Sequence, residues 1–194
     1  LRMVNERDIP VDLAPFIAKD GNMAEQGFSD NILKLAQVKG KQVGLAFATS
    51  NPIMYYNADL VRKAGGNPDV PPKTWDEYLA AVKKLHDPAN GVYGTALRGQ
   101  RGSGANVWRW MPLFKANGGE WFKDGKPAFN SEAAVKATEA YLDLFKYSAP
   151  GTQTGSWDES TGAFRAGKVA IIVESAPLGG MSVDKAQSQV ADKV

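Results

Sequence analysis

The chain has no cysteine. Disulfides, thiolate metal sites and thiol nucleophiles are therefore excluded from its chemistry. Histidine is nearly absent as well: His86 stands alone, which rules against a His-rich zinc site and a His-based triad. Charge of one sign is lacking. Against 23 Lys+Arg stand 21 Asp+Glu, a net +2 over 194 residues, so nothing suggests a nucleic-acid binder driven by phosphate contacts. Long hydrophobic runs are missing too; Val169–Val173 is far too short to cross a bilayer. What remains is ordinary for a globular protein, with 43% hydrophobic and 23% charged residues. That length supports one domain or two small ones with a real core.

The chain opens Leu1-Arg2-Met3-Val4-Asn5-Glu6, without an initiator Met or a signal-peptide pattern. It closes on Ala186 to Val194 without a capping signal. Both ends read as cut, so a fragment, with any leader removed, is expected.

Periodicity predicts alternating helices and strands, and hence α/β architecture. Leu13, Phe16 and Ile17 suggest a helix within 11–20, and Ile32, Leu35 and Ala36 another within 28–38. Residues 42–48 and 53–56 read as extended, and 57–64 as a short helix stopped by Gly65-Gly66. Thr74-Trp75-Asp76-Glu77 is a capping box. It opens an amphipathic helix with Trp75, Tyr78, Leu79, Val82, Leu85 and His86 on one stripe. Residues 91–97 read as a strand, 98–105 as a Gly-rich basic loop and 106–117 as a helix. Residues 121–129 read as a hairpin turning at Asp124-Gly125. Asn130 is expected to cap a helix to about Tyr147, with Ala134, Thr138, Tyr141 and Phe145 inward. Asp158 is expected to cap a shorter one ended by Gly167. Residues 168–174 read as a buried strand.

The Gly-rich loop Arg98-Gly99-Gln100-Arg101-Gly102-Ser103-Gly104 lacks the Lys and Ser/Thr of a P-loop. Two roles remain open for it: a plain surface loop, or a hydrogen-bonding loop. In the second, Arg98, Arg101, Ser103 and Asn106 meet a polar ligand at the carboxyl end of a strand. Of the five Trp residues, Trp75 and Trp121 are expected to pack. Val107, Trp110, Met111 and Phe114 form the expected core stripe of their helix, and Trp108 lies about 100° off Val107. No periodic core claims Trp157 either. Indoles outside the core suit the CH-rich faces of sugars, with neighbouring polar groups taking the hydroxyls; a plain packing role stays equally open for Trp108 and Trp157. Glu174 ends the last strand, where it would accept from hydroxyls across a cleft. No spacing pairs it with Asp158 as the two carboxyls of a glycosidase. His86, on an apolar stripe, is expected to be packed.

Several stretches together resemble the extracellular solute-binding proteins of ABC importers, in the group that binds sugars and polyols. They are Gly44-Leu45-Ala46-Phe47-Ala48-Thr49-Ser50-Asn51-Pro52-Ile53-Met54-Tyr55-Tyr56-Asn57 with Asp59 to Gly65, and Pro72-Lys73-Thr74-Trp75-Asp76-Glu77-Tyr78. Asn117-Gly118-Gly119, Asp124-Gly125-Lys126, Phe129-Asn130-Ser131 and Phe164 to Ala170 continue the series. Leu97 to Gly102 with Asn106 to Trp110 resembles the sorbitol/mannitol-like branch.

The resemblance implies a periplasmic-binding-protein-like α/β fold. Residues 1–47 would be part of a first lobe and its hinge strand (42–48), 48–175 the second lobe, and 176–194 a return segment. It also implies a non-enzymatic, cofactor-free receptor outside the cytoplasmic membrane, lipid-tethered in a Gram-positive source. Its partners would be a sugar or polyol and the permease, with no nucleic acid. A homodimer or swapped assembly is expected to cover the face that a missing half-lobe leaves open. The expected ligand set is Ser50, Asn51, Tyr55, Arg98, Arg101, Asn106, Trp108, Trp157 and Glu174. A carbohydrate-active hydrolase and an interaction domain without a small-molecule site are the alternatives. The chain departs from the family after the return strand, where a Trp is frequent and Ser175-Ala176-Pro177-Leu178 stands here.

Overall fold

The computed structural model describes residues 7, 9–21, 23–46, 50–102 and 104–194. Expectations for 1–6, for the 47–49 end of the first hinge strand and for Ser103 lie outside the described residues. The chain divides into two compact units, Leu1–Thr49 and Ser50–Val194.

The first unit holds α1 (Ala14–Asp20), α2 (Asp30–Lys34), β1 (Gln37–Val38) and β2 (Lys41–Gln42). Ser29 caps α2 by accepting from Ile32 N–H. Neither helix buries a residue, and Phe16 and Leu35 are exposed. Where a helix to Val38 and a strand from Gln42 were expected, a hairpin forms instead. Val38 pairs with Lys41 around Lys39 and Gly40, both at positive φ, which matches the twist of two-residue hairpins. The strand stops at Gln42, whose buried amide donates to Leu33 O (3.0 Å) and Gly44 O (2.7 Å).

The second unit is built on one antiparallel ribbon, β3 (Pro52–Tyr56) against β6 (Ile171–Ser175), in register Ile53↔Glu174 and Tyr55↔Ile172. Alternation sends successive side chains to opposite faces. Ile171 joins a core with Tyr78, Val82, Leu113, Phe114 and Tyr141. Ile172 and Tyr55 join a second core with Phe164, Leu178 and Val190. Residues 91–97, expected as a strand, form isolated bridges: Val92 antiparallel to Asp87, Tyr93 parallel to Val169 and Thr95 parallel to Ser148. Tyr93 N–H donates to Lys168 O (2.8 Å), and Thr95 N–H to Tyr147 O (3.1 Å).

Among the helices around this sheet are α3 (Ala58–Lys63), α4 (Trp75–Leu85), α5 (Ala105–Ala116), α6 (Glu132–Leu144) and α7 (Trp157–Arg165). Thr74 accepts from Glu77 N–H (3.2 Å), but the returning carboxylate takes Lys73 N–H (2.7 Å) and not that of Thr74. Ser131, one residue later than expected, caps α6, whose buried face is Ala137, Tyr141 and Leu144. Thr138 is exposed and accepts from Trp110 Nε1 (3.1 Å). Ser156 rather than Asp158 precedes α7, its N–H donating to Glu159 Oε2 (2.8 Å). Between α5 and α6, β4 (Phe122–Lys123) and β5 (Lys126–Pro127) make the expected Asp-Gly hairpin. Residues 176–194, set apart in sequence as a return segment, belong to this second unit. Leu178, in α8 (Pro177–Val183), and Val190 lie in its core.

Candidate functional site

Segment 92–97 and β6 run parallel, so their carboxyl ends share one edge of the sheet, with the amino ends of α5 and α7 nearby. Open α/β sheets place ligands at this edge. Arg98 leaves the first segment there and Glu174 nearly ends β6. Glu174 is fully buried, and a buried carboxylate persists only if paired and hydrogen-bonded. Arg98 grips it side-on: Nε donates to Oε2 (2.9 Å) and Nη2 to Oε1. Ser175 N–H donates to Oε1 (2.7 Å), and Arg109 Nη1 to Oε2 (3.4 Å). Arg109 is fixed in turn by donating from Nη2 to Ala96 O (2.9 Å).

The Arg98 guanidinium carbon lies 5.1 Å from the Trp108 ring and 4.9 Å from the Trp157 ring. The two indoles therefore flank one cation, an arrangement favoured by their quadrupoles. Below it, Tyr141 donates its hydroxyl to Arg98 O (2.7 Å). Burial, opposed by the nearby Arg109 charge, pushes the Tyr141 phenol up to about 12. The loop after Arg98 is docked, not loose. Gly99 N–H donates to Thr152 O (2.8 Å) and Gln100 N–H to Gly155 O (3.0 Å). A Cβ on Gly99 would stand 2.0 Å from Gln153 O, so only glycine fits.

Four of the nine expected residues thus meet: Arg98, Trp108, Trp157 and Glu174. Trp157 begins α7 rather than lying in a loop. Asn106 is half-buried at the start of α5, its Oδ1 accepting from Val107 N–H (2.8 Å), and Arg101 is exposed. Ser50 and Asn51 are exposed ahead of β3. Tyr55 shares the Glu174 face of the ribbon, but its hydroxyl donates to Ala176 O (3.1 Å), and burial raises its pKa.

The expected stripe of α5 is corrected. Val107 is exposed, and the buried residues are Ala105, Arg109, Leu113 and Phe114. Trp110 is half-buried, stacked on Phe114 with centroids 4.7 Å apart. Arg109 was missed because a charge on a helix reads as surface; its i, i+4 spacing between Ala105 and Leu113 was the available signal. His86 is packed as expected, edge-on to Tyr147 and accepting from Gly94 N–H. A separate pocket of about 430 Å³, lined by Tyr56, Val61, Val70, Pro71, Leu85 and Ile171, opens on the other face of the ribbon.

These features define a lobe of the periplasmic-binding-protein type. The model for bacterial extracellular solute-binding proteins matches residues 2–192, and the chain belongs to that family. It is 35% identical over 158 residues to a mannitol-binding protein of Pseudomonas aeruginosa, covering 80% of this chain and 36% of that protein. It is 33% identical over 138 residues to an sn-glycerol-3-phosphate-binding periplasmic protein of Yersinia enterocolitica, covering 70% of this chain and 31% of that one. The crystal structure of an ABC transporter solute-binding protein from Agrobacterium radiobacter K84 in complex with ribitol superposes with a TM-score of 0.87 at 30% identity, covering 98% of this chain and 48% of that one. The chain thus spans from 31% to 48% of the length of these relatives.

Proposed function

We propose that the chain is the ligand-holding part of an ABC importer's solute receptor, which captures a neutral sugar or polyol outside the cytoplasmic membrane and delivers it to the permease. It binds without chemical conversion. In that receptor, residues 48–175 act as the second lobe and 1–47 as part of the first. The observation that carries this is Arg98, gripped by Glu174 and flanked by Trp108 and Trp157 at the carboxyl edge of the sheet. Indole surface buries CH groups, while a fixed guanidinium donates to hydroxyl oxygens in set directions. The relatives named for mannitol and crystallised with ribitol support the ligand class. Arg101, Asn106, Ser50, Asn51 and Tyr55 are proposed to complete the contacts. Melting curves with ribitol, D-mannitol and D-glucose test this. A ligand that binds only the folded state raises the melting point, so a rise with a polyol is expected, and no rise with any of the three contradicts it.

A further inference from the structure

The Glu174 carboxylate is the least expected feature of the second unit. It lies wholly out of solvent, whereas the Arg98 side chain that grips it keeps 12% of its surface exposed. The grip uses Nε and Nη2 of Arg98, leaving Nη1 as the edge without a hydrogen-bond partner among the described residues. Glu174 itself is saturated by Arg98, Arg109 and Ser175. It has no surface with which to touch a solute.

We propose that Glu174 is a positioning and selectivity residue: it locks Arg98 between the two indoles with Nη1 outward, and takes up enough of the guanidinium charge to make Arg98 a directed donor for neutral hydroxyls rather than an anchor for anions. This rests on the polyol reading above. A side-on carboxylate fixes the plane of a guanidinium through two parallel bonds. It also sets a negative charge directly behind Arg98 in a poorly screened interior, which weakens the pull of that guanidinium on a ligand phosphate, although Arg109 on Oε2 offsets part of that charge. Arg109 cannot replace it as a partner for the ligand, because it is buried and tied to Ala96 O.

The test compares wild type, Glu174→Gln and Arg98→Gln by calorimetric titration with ribitol and with ribitol 5-phosphate, alongside tryptophan emission without ligand. Wild type is expected to prefer ribitol. Glu174→Gln is expected to move the affinity ratio toward the phosphate ester by about tenfold or more, since a charge-assisted pair with phosphate replaces the one lost. It should also shift tryptophan emission, because Arg98 leaves the indoles. Arg98→Gln keeps Glu174 paired with Arg109, so it remains informative if Glu174→Gln fails to fold. It is expected to lose ribitol affinity and to shift the same emission. An unchanged affinity ratio in folded Glu174→Gln, or unchanged ribitol affinity in Arg98→Gln, overturns the proposal while leaving the polyol reading standing. Wild type that binds neither ligand overturns the polyol reading itself.

Discussion

At the scale of single residues, the two tryptophans of α5 do different work although they are two positions apart. Trp108 faces the Arg98 guanidinium, and Trp110 stacks on Phe114 and tilts against Trp121. Trp108→Ala should weaken polyol binding by roughly 1–3 kcal/mol, the usual worth of burying a large apolar side chain, with little change in melting temperature. Trp110→Ala should leave affinity nearly intact and cost about 2–3 kcal/mol of stability, less than a full core truncation because the ring is half-buried. Tyr141 supplies a pH dependence. Its pKa lies above the ordinary value of 10.0, at about 12, so the folded state holds the phenolic proton more tightly than the unfolded chain. Its contribution is fully present below pH 10 and is lost as pH rises toward 12. Urea midpoints should fall across that window, and Tyr141→Phe should flatten the fall. Trp108 and Trp157 stood out in sequence because they broke an apolar period or escaped one, and Arg98 because it opens a Gly-rich basic loop after an expected strand. The role of Glu174 was not, since its partner Arg98 lies 76 residues away and no local pattern encodes the pair.

At the scale of elements, short-range chemistry was the most readable part. The Asp124-Gly125 hairpin, the Thr74 cap and the stripe of α4 depend on neighbours within a turn or two, and each forms near where it was expected. Strand 92–97 and the phase of α5 were harder, because both are decided by what packs from far away. The 92–97 segment takes hydrogen bonds alternately from two distant stretches, 147–149 and 168–171. Helix α5 turns Arg109 inward because Glu174 waits there. The loop after Arg98 was read as Gly-rich without its reason: Gly99 lies against the 151–155 turn. Gly99→Ala must push that turn away from its two backbone bonds to residues 99 and 100. It should therefore reduce polyol affinity and lower the melting point together, whereas Gly102→Ala, where nothing stands within 4 Å, should cost about 1–2 kcal/mol of stability from its positive φ alone and leave affinity nearly unchanged.

At the scale of the whole molecule, the two units differ in how much core they own. The second carries two buried clusters, one on each face of the β3–β6 ribbon. The first buries little beyond Met23, Ala36 and Gln42 among its described residues. Limited proteolysis should therefore cut within residues 1–49 before it cuts α6, since cleavage follows local opening; early cleavage between Glu132 and Leu144 would contradict this. The membership of 176–194 in the second unit depends on Leu178 and Val190 finding a core that no local pattern announces. The central claim is that the Arg98–Trp108–Trp157 cluster holds a neutral polyol, and calorimetric titration of ribitol into the wild type, Trp108→Ala and Trp110→Ala tests it most directly. The account predicts saturable binding that Trp108→Ala weakens by about fivefold or more and Trp110→Ala leaves within about threefold, as burial-based energies imply. Equal affinities for wild type and Trp108→Ala, or a loss confined to Trp110→Ala, would contradict it.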